Sequence, residues 1–214
     1  MRNKYEQQLH TLHEKLYQMG FLCEEAIACA AKALLEGDEG LRQKAITLEE
    51  DIDEAEHSIE RLCVRLLLHQ QPMASDLRHV TAAQKMITDM ERIGDQAADI
   101  AHLTAKMQGR SIISGLRIAD MARAASKMVT DSVDAFVRKD LEQAKAVIAY
   151  DDKLDKLFHI FRSEMVGHLR QANANAEDCV NLLLIAKYFE RIGDHAENLA
   201  EWVIYYLTGS REDN

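Results

Sequence analysis

Glu91-Arg92-Ile93-Gly94-Asp95 stands in the first half of the 214-residue chain and returns in the second as Glu190-Arg191-Ile192-Gly193-Asp194. The similarity runs on to Ala101 in the first copy and Ala200 in the second. A repeat at corresponding positions of two halves of similar length points to internal duplication, and a duplication decides the architecture before any single element does. Both copies lie inside long runs of helical periodicity. Each sets a Glu and an Asp four residues apart, so the two carboxylates share one helix face, about 6 Å apart along the axis. The Gly before each Asp costs about 1 kcal/mol relative to Ala in a helix interior. Its presence at both equivalent positions points to a packing or site requirement. Two carboxylates beside a glycine suit an oxygen-rich cation site set against a close neighbouring helix.

Working outward from the first copy, Ala83, Met86, Met90, Ile93, Gly94, Ala97, Ile100 and Ala101 form one apolar stripe, which predicts a third helix running to about Met107. Gln71-Pro72-Met73 precedes it. The only Pro in the chain is expected to end the second helix and occupy the first turn of the third, where its missing N–H costs nothing. The second helix spans about Glu39 to His69, with a core line from Ala45 to Leu66 and a flanking line of Glu49, Asp53, Glu56 and Glu60. Four acids at that spacing repel one another. Either they are a solvated face answered by Arg61 and Arg65, or something cationic sits there. The first helix covers about Asn3 to Glu36, with Leu9, Leu12, Leu16, Met19, Cys23, Ile27, Ala30 and Leu34 inward. Gly37 should end it and Asp38 cap its successor. Past Gln108-Gly109-Arg110-Ser111 the order recurs. A fourth helix runs from about Leu116 to Arg138, and a fifth from Asp140 carries Asp151 and Asp155 at the spacing of Glu49 and Asp53. A sixth, capped by Asn175, carries Glu190, Asp194, Glu197 and Glu201. The expectation is an all-α fold of two tandem three-helix bundles, residues 1–108 and 112–214, with sequence neighbours antiparallel.

Composition agrees. One Pro and nine Gly leave few places to break a helix. Hydrophobic residues at 47% supply a core. A net charge of −10 argues against non-specific nucleic-acid binding and favours cations or a basic partner. Cys23, Cys29, Cys63 and Cys179 form no Cys-x-x-Cys pair and read as small buried apolar residues of a reducing compartment. The N-terminal stretch has no apolar core of a signal peptide, and no uncharged run reaches the length of a membrane span, so a cytoplasmic protein without direct membrane insertion is expected.

Gln71-Pro72-Met73-Ala74-Ser75-Asp76-Leu77-Arg78 leading into Asp89-Met90-Glu91-Arg92-Ile93-Gly94-Asp95, together with Tyr188-Phe189-Glu190-Arg191-Ile192-Gly193-Asp194-His195, resembles the PhoU family of phosphate-specific transport accessory proteins over essentially the whole chain. One Glu-x-x-x-Asp is a weak signal; two, each late in one repeat, are specific. The resemblance implies tandem three-helix bundles that bind metal at acidic motifs. It thereby implicates Glu49, Asp53, Glu91 and Asp95 in the first half and Asp151, Asp155, Glu190 and Asp194 in the second. Two departures stand out: Glu49 replaces the more usual Asp, and the second half lacks the segment from Pro72 to Arg78. The resemblance further implies a non-catalytic regulator that restrains phosphate uptake and starvation signalling. Its partners would be the ATPase subunit of a phosphate ABC transporter and a sensor histidine kinase, and a homodimer is expected.

Carboxylate ligation is hard, so Mg, Mn or Ca suits it, with Fe where imidazole joins, and the family resemblance implies Fe or Zn. The sequence leaves Fe, Zn, Mn and Mg open. His102 and His195 are the histidines placed to assist. Two other readings stand beside this one. A ferritin-like di-metal oxidase would use Glu-x-x-His. Glu54–His57 has that spacing but falls opposite the acidic stripe, and Asp99–His102 is a weaker echo. A metal-free helical scaffold would leave all the acids solvated.

Overall fold

The computed structural model describes residues 2–70, 74–108, 117–171 and 174–210. These form six helices and no strand: α1 (Arg2–Glu36), α2 (Glu39–Gln70), α3 (Ala74–Thr104), α4 (Ile118–Arg138), α5 (Leu141–Leu169) and α6 (Ala176–Thr208). Pro72 and the bundle boundary expected near Gly109 lie outside the described residues.

The turns inside the two halves are chemical copies. Gly37 ends α1 with φ 77°, and Lys139, in the same place after α4, also takes the left-handed conformation with φ 57°. The next residue in each is an aspartate cap. Asp38 Oδ1 accepts from Leu41 N at 3.0 Å and Asp140 Oδ1 from Gln143 N at 3.0 Å. The second turn closes with Asp140 N donating to Ala135 O at 2.9 Å, which satisfies a carbonyl that the helix end leaves open. Such two-residue turns force α2 back along α1 and α5 back along α4. Asn175 caps α6 as expected, its side chain accepting from Glu177 N and Asp178 N. Helix α3 stops three residues short of the sequence expectation. Thr104 Oγ1 bonds Ile100 O at 2.8 Å, and the chain tightens to Lys106 N–Leu103 O and Met107 N–Thr104 O bonds. A threonine hydroxyl that binds a carbonyl of its own helix competes with continuation of the ladder.

Helices α1, α3, α6 and α4 touch in that cyclic order. Helix α2 packs only on α1 and α3, and α5 only on α4 and α6, among the described residues. Each half is therefore a three-helix bundle, and the two are joined along α1/α4 and α3/α6. The inward stripes read from the sequence are buried with few exceptions, Leu9 and Ala55 being partly exposed. One apolar cluster runs through both halves, with Phe136, Phe161 and Phe189 its largest fully buried side chains. At one end of the joint, His13, His79, Phe136 and Tyr206 interlock from four different helices. His79 and Tyr206 stack with centroids 4.5 Å apart, and the His13 and His79 Nε2 atoms lie 2.8 Å apart.

The α3/α6 joint has an approximate twofold character inherited from the duplication. Asp89 of α3 accepts from the His195 ring at 2.9 Å and from Asn198 at 3.4 Å. Tyr188, which matches Asp89 in the repeat, bonds in turn to Asp99, which matches Asn198. The two helices therefore run antiparallel, each sending a polar side chain across to the other.

Candidate metal centres

The acids of the two repeats gather along two seams, α2/α3 and α5/α6. What brings the helices close is the glycine of each motif. A Cβ placed on Gly94 would stand 3.0 and 3.2 Å from Ile52 side-chain atoms. One placed on Gly193 would collide with Leu154 Cδ2 and stand 3.2 Å from Asp151 Oδ1. The costly helical glycines are thus a packing requirement. They let Ile52 and Leu154, both fully buried, seat directly on the partner helix backbone, and that draws the flanking carboxylates together.

In the first seam Glu49 and Asp53 of α2 meet Glu91 and Asp95 of α3. All four are partly buried. Burial raises the carboxyl pKa of Glu49, with Asp53 and Asp95 adding to it. Burial likewise raises Glu91, with Asp95 and Asp53 adding, and raises Asp95, with Asp53 and Asp99 adding. Asp53 Oδ1 is buried without a hydrogen-bond partner. Arg92 is exposed, yet it is close enough to offset part of the charge on Glu91 and Asp95. Beside them opens a cleft of about 290 Å³ lined by Glu49, Asp95, Gln96, Asp99 and His102.

The second seam is more acidic. Asp151 is pushed up to about 7 by burial first, then by Glu197, Asp155, Asp194 and Glu190. Its Oδ1 is also buried and unpartnered. Asp194 is the most exposed of the set, but desolvation and Glu190 still raise it. Glu197 is raised by burial, Glu201 and Asp194. One cation is built in: Lys187 pairs with Glu190.

All eight acids implicated by the resemblance thus fall in the two seams, four in each. Sequence reasoning left out Asp99 and Glu197 as members, and it left out Lys187. The lysine lies three residues before Glu190, a spacing that itself signals a helical ion pair. Glu60 of the flanking line is exposed and belongs to neither seam. His195 does not turn to an acid of its own motif; it bridges to Asp89, and it is near enough to both Asp95 and Asp194 to favour their charged forms. Glu54 and His57 are exposed, and the His57 ring lies 2.8 Å from the Asp53 backbone oxygen, so the Glu-x-x-His spacing does not contribute to either seam.

Among the described residues, no three His, Cys, Asp or Glu side chains already stand in a ligand-set arrangement. The seams are nonetheless suited in chemistry to a hard cation. They hold several carboxylates with raised pKa values and one orphaned buried carboxylate oxygen each, and burying such charge without an opposite charge is unfavourable.

Similarity to known proteins follows the same division. The sequence model of the PhoU domain matches residues 16–104 and again 118–203. A phosphate-specific transport system accessory protein PhoU homolog of Clostridium acetobutylicum is 33% identical over 99% of this chain and 98% of its own. The homolog of Pseudomonas aeruginosa is 32% identical over 97% of this chain and 86% of its own. The crystal structure of PhoU from Pseudomonas aeruginosa superposes with a TM-score of 0.89 at 32% identity, covering 96% of this chain and all (100%) of that one. That of the phosphate transport system regulatory protein PhoU from Streptococcus pneumoniae also reaches 0.89, at 26% identity and 98% coverage of this chain.

Proposed function

The chain belongs to the PhoU family, and from that premise we propose that it is a non-catalytic accessory protein of a phosphate-specific transport system that restrains phosphate uptake when phosphate is plentiful. The observation that carries this reading is similarity over nearly the full length of both proteins to an accessory protein of that system. The proposed partners are the transporter's ATPase subunit and a sensor histidine kinase of the phosphate response. Both are reached from the cytoplasm, and no described helix is long and apolar enough to cross a membrane.

The acidic seams supply the proposed control element. Glu49, Asp53, Glu91 and Asp95 would hold a cation in the first half, and Asp151, Asp155, Glu190 and Asp194 one in the second. Fe, Zn, Mn and Mg all remain compatible with these donors. A bound cation would supply the positive charge that the seams lack and favour the ionised carboxylates. The chain's own part is to hold these acids at a fixed depth between paired helices, through the Gly94–Ile52 and Gly193–Leu154 contacts.

The test of the regulatory reading is genetic. Deleting the gene should raise phosphate uptake and starvation-gene expression in phosphate-rich medium, and the intact gene should restore both. An unchanged phosphate response in the deletion would refute it.

A further inference from the structure

Of the four grooves around the α1, α3, α6, α4 layer, α2 fills the one over α1/α3 and α5 the one over α4/α6. Two have no helix of this chain over them among the described residues. One is α1/α4, along which Tyr17, Phe21 and Leu35 of α1 are exposed. The other is α3/α6, and its charge sets it apart.

One stripe from each helix edges the α3/α6 groove. On α3 it is Asp89, Arg92, Gln96 and Asp99; on α6 the same positions of the repeat are Tyr188, Arg191, His195 and Asn198. Most of these side chains are occupied at the joint. Asp89 accepts from His195 and Asn198, and Tyr188 bonds to Asp99. Gln96 is buried. Arg92 and Arg191 are the exceptions. Both are exposed, and neither forms an ion pair or hydrogen bond among the described residues. Asp95 and Asp194 lie three residues on, a spacing at which Lys187 does pair with Glu190 on the same helix, yet neither arginine makes that pair. Each stands on the rim between its acidic seam and the groove. Packing accounts for the isoleucine and glycine of the repeated Glu-Arg-Ile-Gly-Asp, and the seams account for its acids. The arginine is the letter that neither uses.

Lys85, one turn before Asp89, is likewise exposed and unpaired among the described residues. In a chain of net charge −10, three free cations along one groove are out of keeping with the rest of the surface. At the far end of the same groove Val180 and Leu184 are 50% and 45% exposed. The Asp89–His195 and Asp99–Tyr188 contacts fix the crossing of the two helices. Along it the order is Val180, Leu184, Arg191, Arg92 and Lys85, over about 30 Å, the length of a helix of about 20 residues.

We propose that the α3/α6 groove is the docking site for an acidic amphipathic helix of a partner protein, whose carboxylates meet Lys85, Arg92 and Arg191 and whose apolar end covers Val180 and Leu184. The fold itself shows that a groove of this layer takes a helix, since α2 and α5 each fill one. Charge selects the partner. Three cations in line repel a basic helix, whereas an acidic one gains several exposed pairs, each modest alone. The apolar end fixes the direction in which the helix lies. A partner seated here runs between the two acidic seams, with an arginine of each motif separating it from that motif's acids. The proposal rests on the regulatory role above only for what docking accomplishes; the contact itself follows from the groove.

The probe is a fluorescein-labelled, alanine-rich peptide helix of about 20 residues, with glutamates about two turns apart on one face and leucines at one end. Its fluorescence anisotropy with the full chain, in low salt and chelator, should show saturable binding with a dissociation constant of about 100 μM or tighter. Added salt should weaken it. The same peptide with glutamine for glutamate should bind about tenfold more weakly or less. Arg92→Gln with Arg191→Gln should weaken the acidic peptide by about tenfold while keeping the parent's circular dichroism and melting temperature, since both side chains are exposed. Arg61→Gln with Arg65→Gln, exposed arginines of α2, changes the net charge equally and should leave the affinity as it is. A parent that treats the acidic and glutamine peptides alike, binding both or neither, overturns the proposal. So does an equal loss in the groove variant and the α2 control. In cells, the groove variant supplied to the deletion strain should fail to restore phosphate control, and full restoration counts against the groove. If the deletion itself leaves the phosphate response unchanged, the regulatory role falls, while the peptide result still decides the groove.

Discussion

Replacing Gly193 with Ala should destabilise the protein, and replacing Gly94 with Ala should do so much less. Each change brings the same helix-propensity gain, about 1 kcal/mol. The two sites differ in what the new methyl meets. At Gly94 it stands 3.0 to 3.4 Å from Ile52 atoms, a squeeze that costs about 1 kcal/mol and roughly cancels the gain. At Gly193 it overlaps Leu154 Cδ2, a fully buried side chain, and presses on Asp151 Oδ1 as well. Forcing a packed leucine off its rotamer and parting α5 from α6 costs about 2–3 kcal/mol, leaving a net loss of about 1–2 kcal/mol. For a chain of this size that is a fall in melting temperature of about 2–8 °C. The assay is urea and thermal unfolding with chelator present, so that any change in metal occupancy does not enter. A double-mutant cycle with Leu154→Ala isolates the cause. Leu154→Ala alone leaves a cavity and costs about 2–5 kcal/mol. In the double variant the methyl added by Gly193→Ala occupies part of that cavity, so the pair should lose at least about 0.5 kcal/mol less than the sum of the single losses. If Gly193→Ala matches or exceeds the parent in stability, or if the two changes add, the reasoning about how the glycine places this seam is wrong.

Three further outcomes follow from the same geometry. With chelator, Asp151→Asn should remove a pH dependence. Its folded pKa of about 7 lies above the unfolded value, so the parent gains stability as pH falls from above 7 toward 4 and loses it as pH rises; urea midpoints from pH 5 to 8 that leave parent and variant with equal slopes would refute this. His79 titrates with the opposite sign. Burial first, then His13 and Lys139, hold it down at about 3, so below pH 6.5 the unfolded chain takes a proton the folded one refuses, and stability should fall by up to about 1.4 kcal/mol per pH unit; His79→Phe should flatten that limb, and an unaltered limb would refute the assignment. Finally, Glu91→Ala with Asp95→Ala should remove any metal and any metal-induced rise in melting temperature from the first half, as should Glu190→Ala with Asp194→Ala in the second. Elemental analysis with paired melts in metal and in chelator checks both, and a parent that carries no metal and melts identically in the two would show these acids to be surface or partner-facing groups.

Much of the fold was legible because it is local. Apolar spacing, Gly37 with Asp38, and Asn175 each act within a few residues, and the structure places them as read. The duplication was legible because Glu-Arg-Ile-Gly-Asp repeats letter for letter. What could not be read was which stripe of a helix stays uncovered. The Tyr17–Leu35 line of α1 has nearly as regular a period as its core line, and only the order in which the helices touch leaves it open. Nor could the partner of His195 be read, since Asp89 lies 106 residues away in sequence and meets it only through the antiparallel crossing of α3 and α6. The cap of Lys139 was hidden for a different reason. A lysine gives no left-handed signal; the register of the repeat does, by matching it to Gly37.

The two seams share a frame but not a charge set, and the difference bears on how one could inform the other. Where the first half has Thr88, Ala98 and His102, the second has Lys187, Glu197 and Glu201. A cation in the second seam would have to compete with the Lys187–Glu190 pair and with a proton on Asp151, but it would be offered more carboxylates. In the first seam it would meet no built-in lysine at the position of Thr88 and could draw on the imidazole of His102. Equal occupancy of two such sites would require these unlike terms to cancel. His195 stands between them: it is bonded to Asp89 of the first half and is near both Asp95 and Asp194. A cation in either seam would reduce the negative charge that this ring faces. That ring, hydrogen-bonded across the α3/α6 joint, belongs to one half and lies within reach of acids of both.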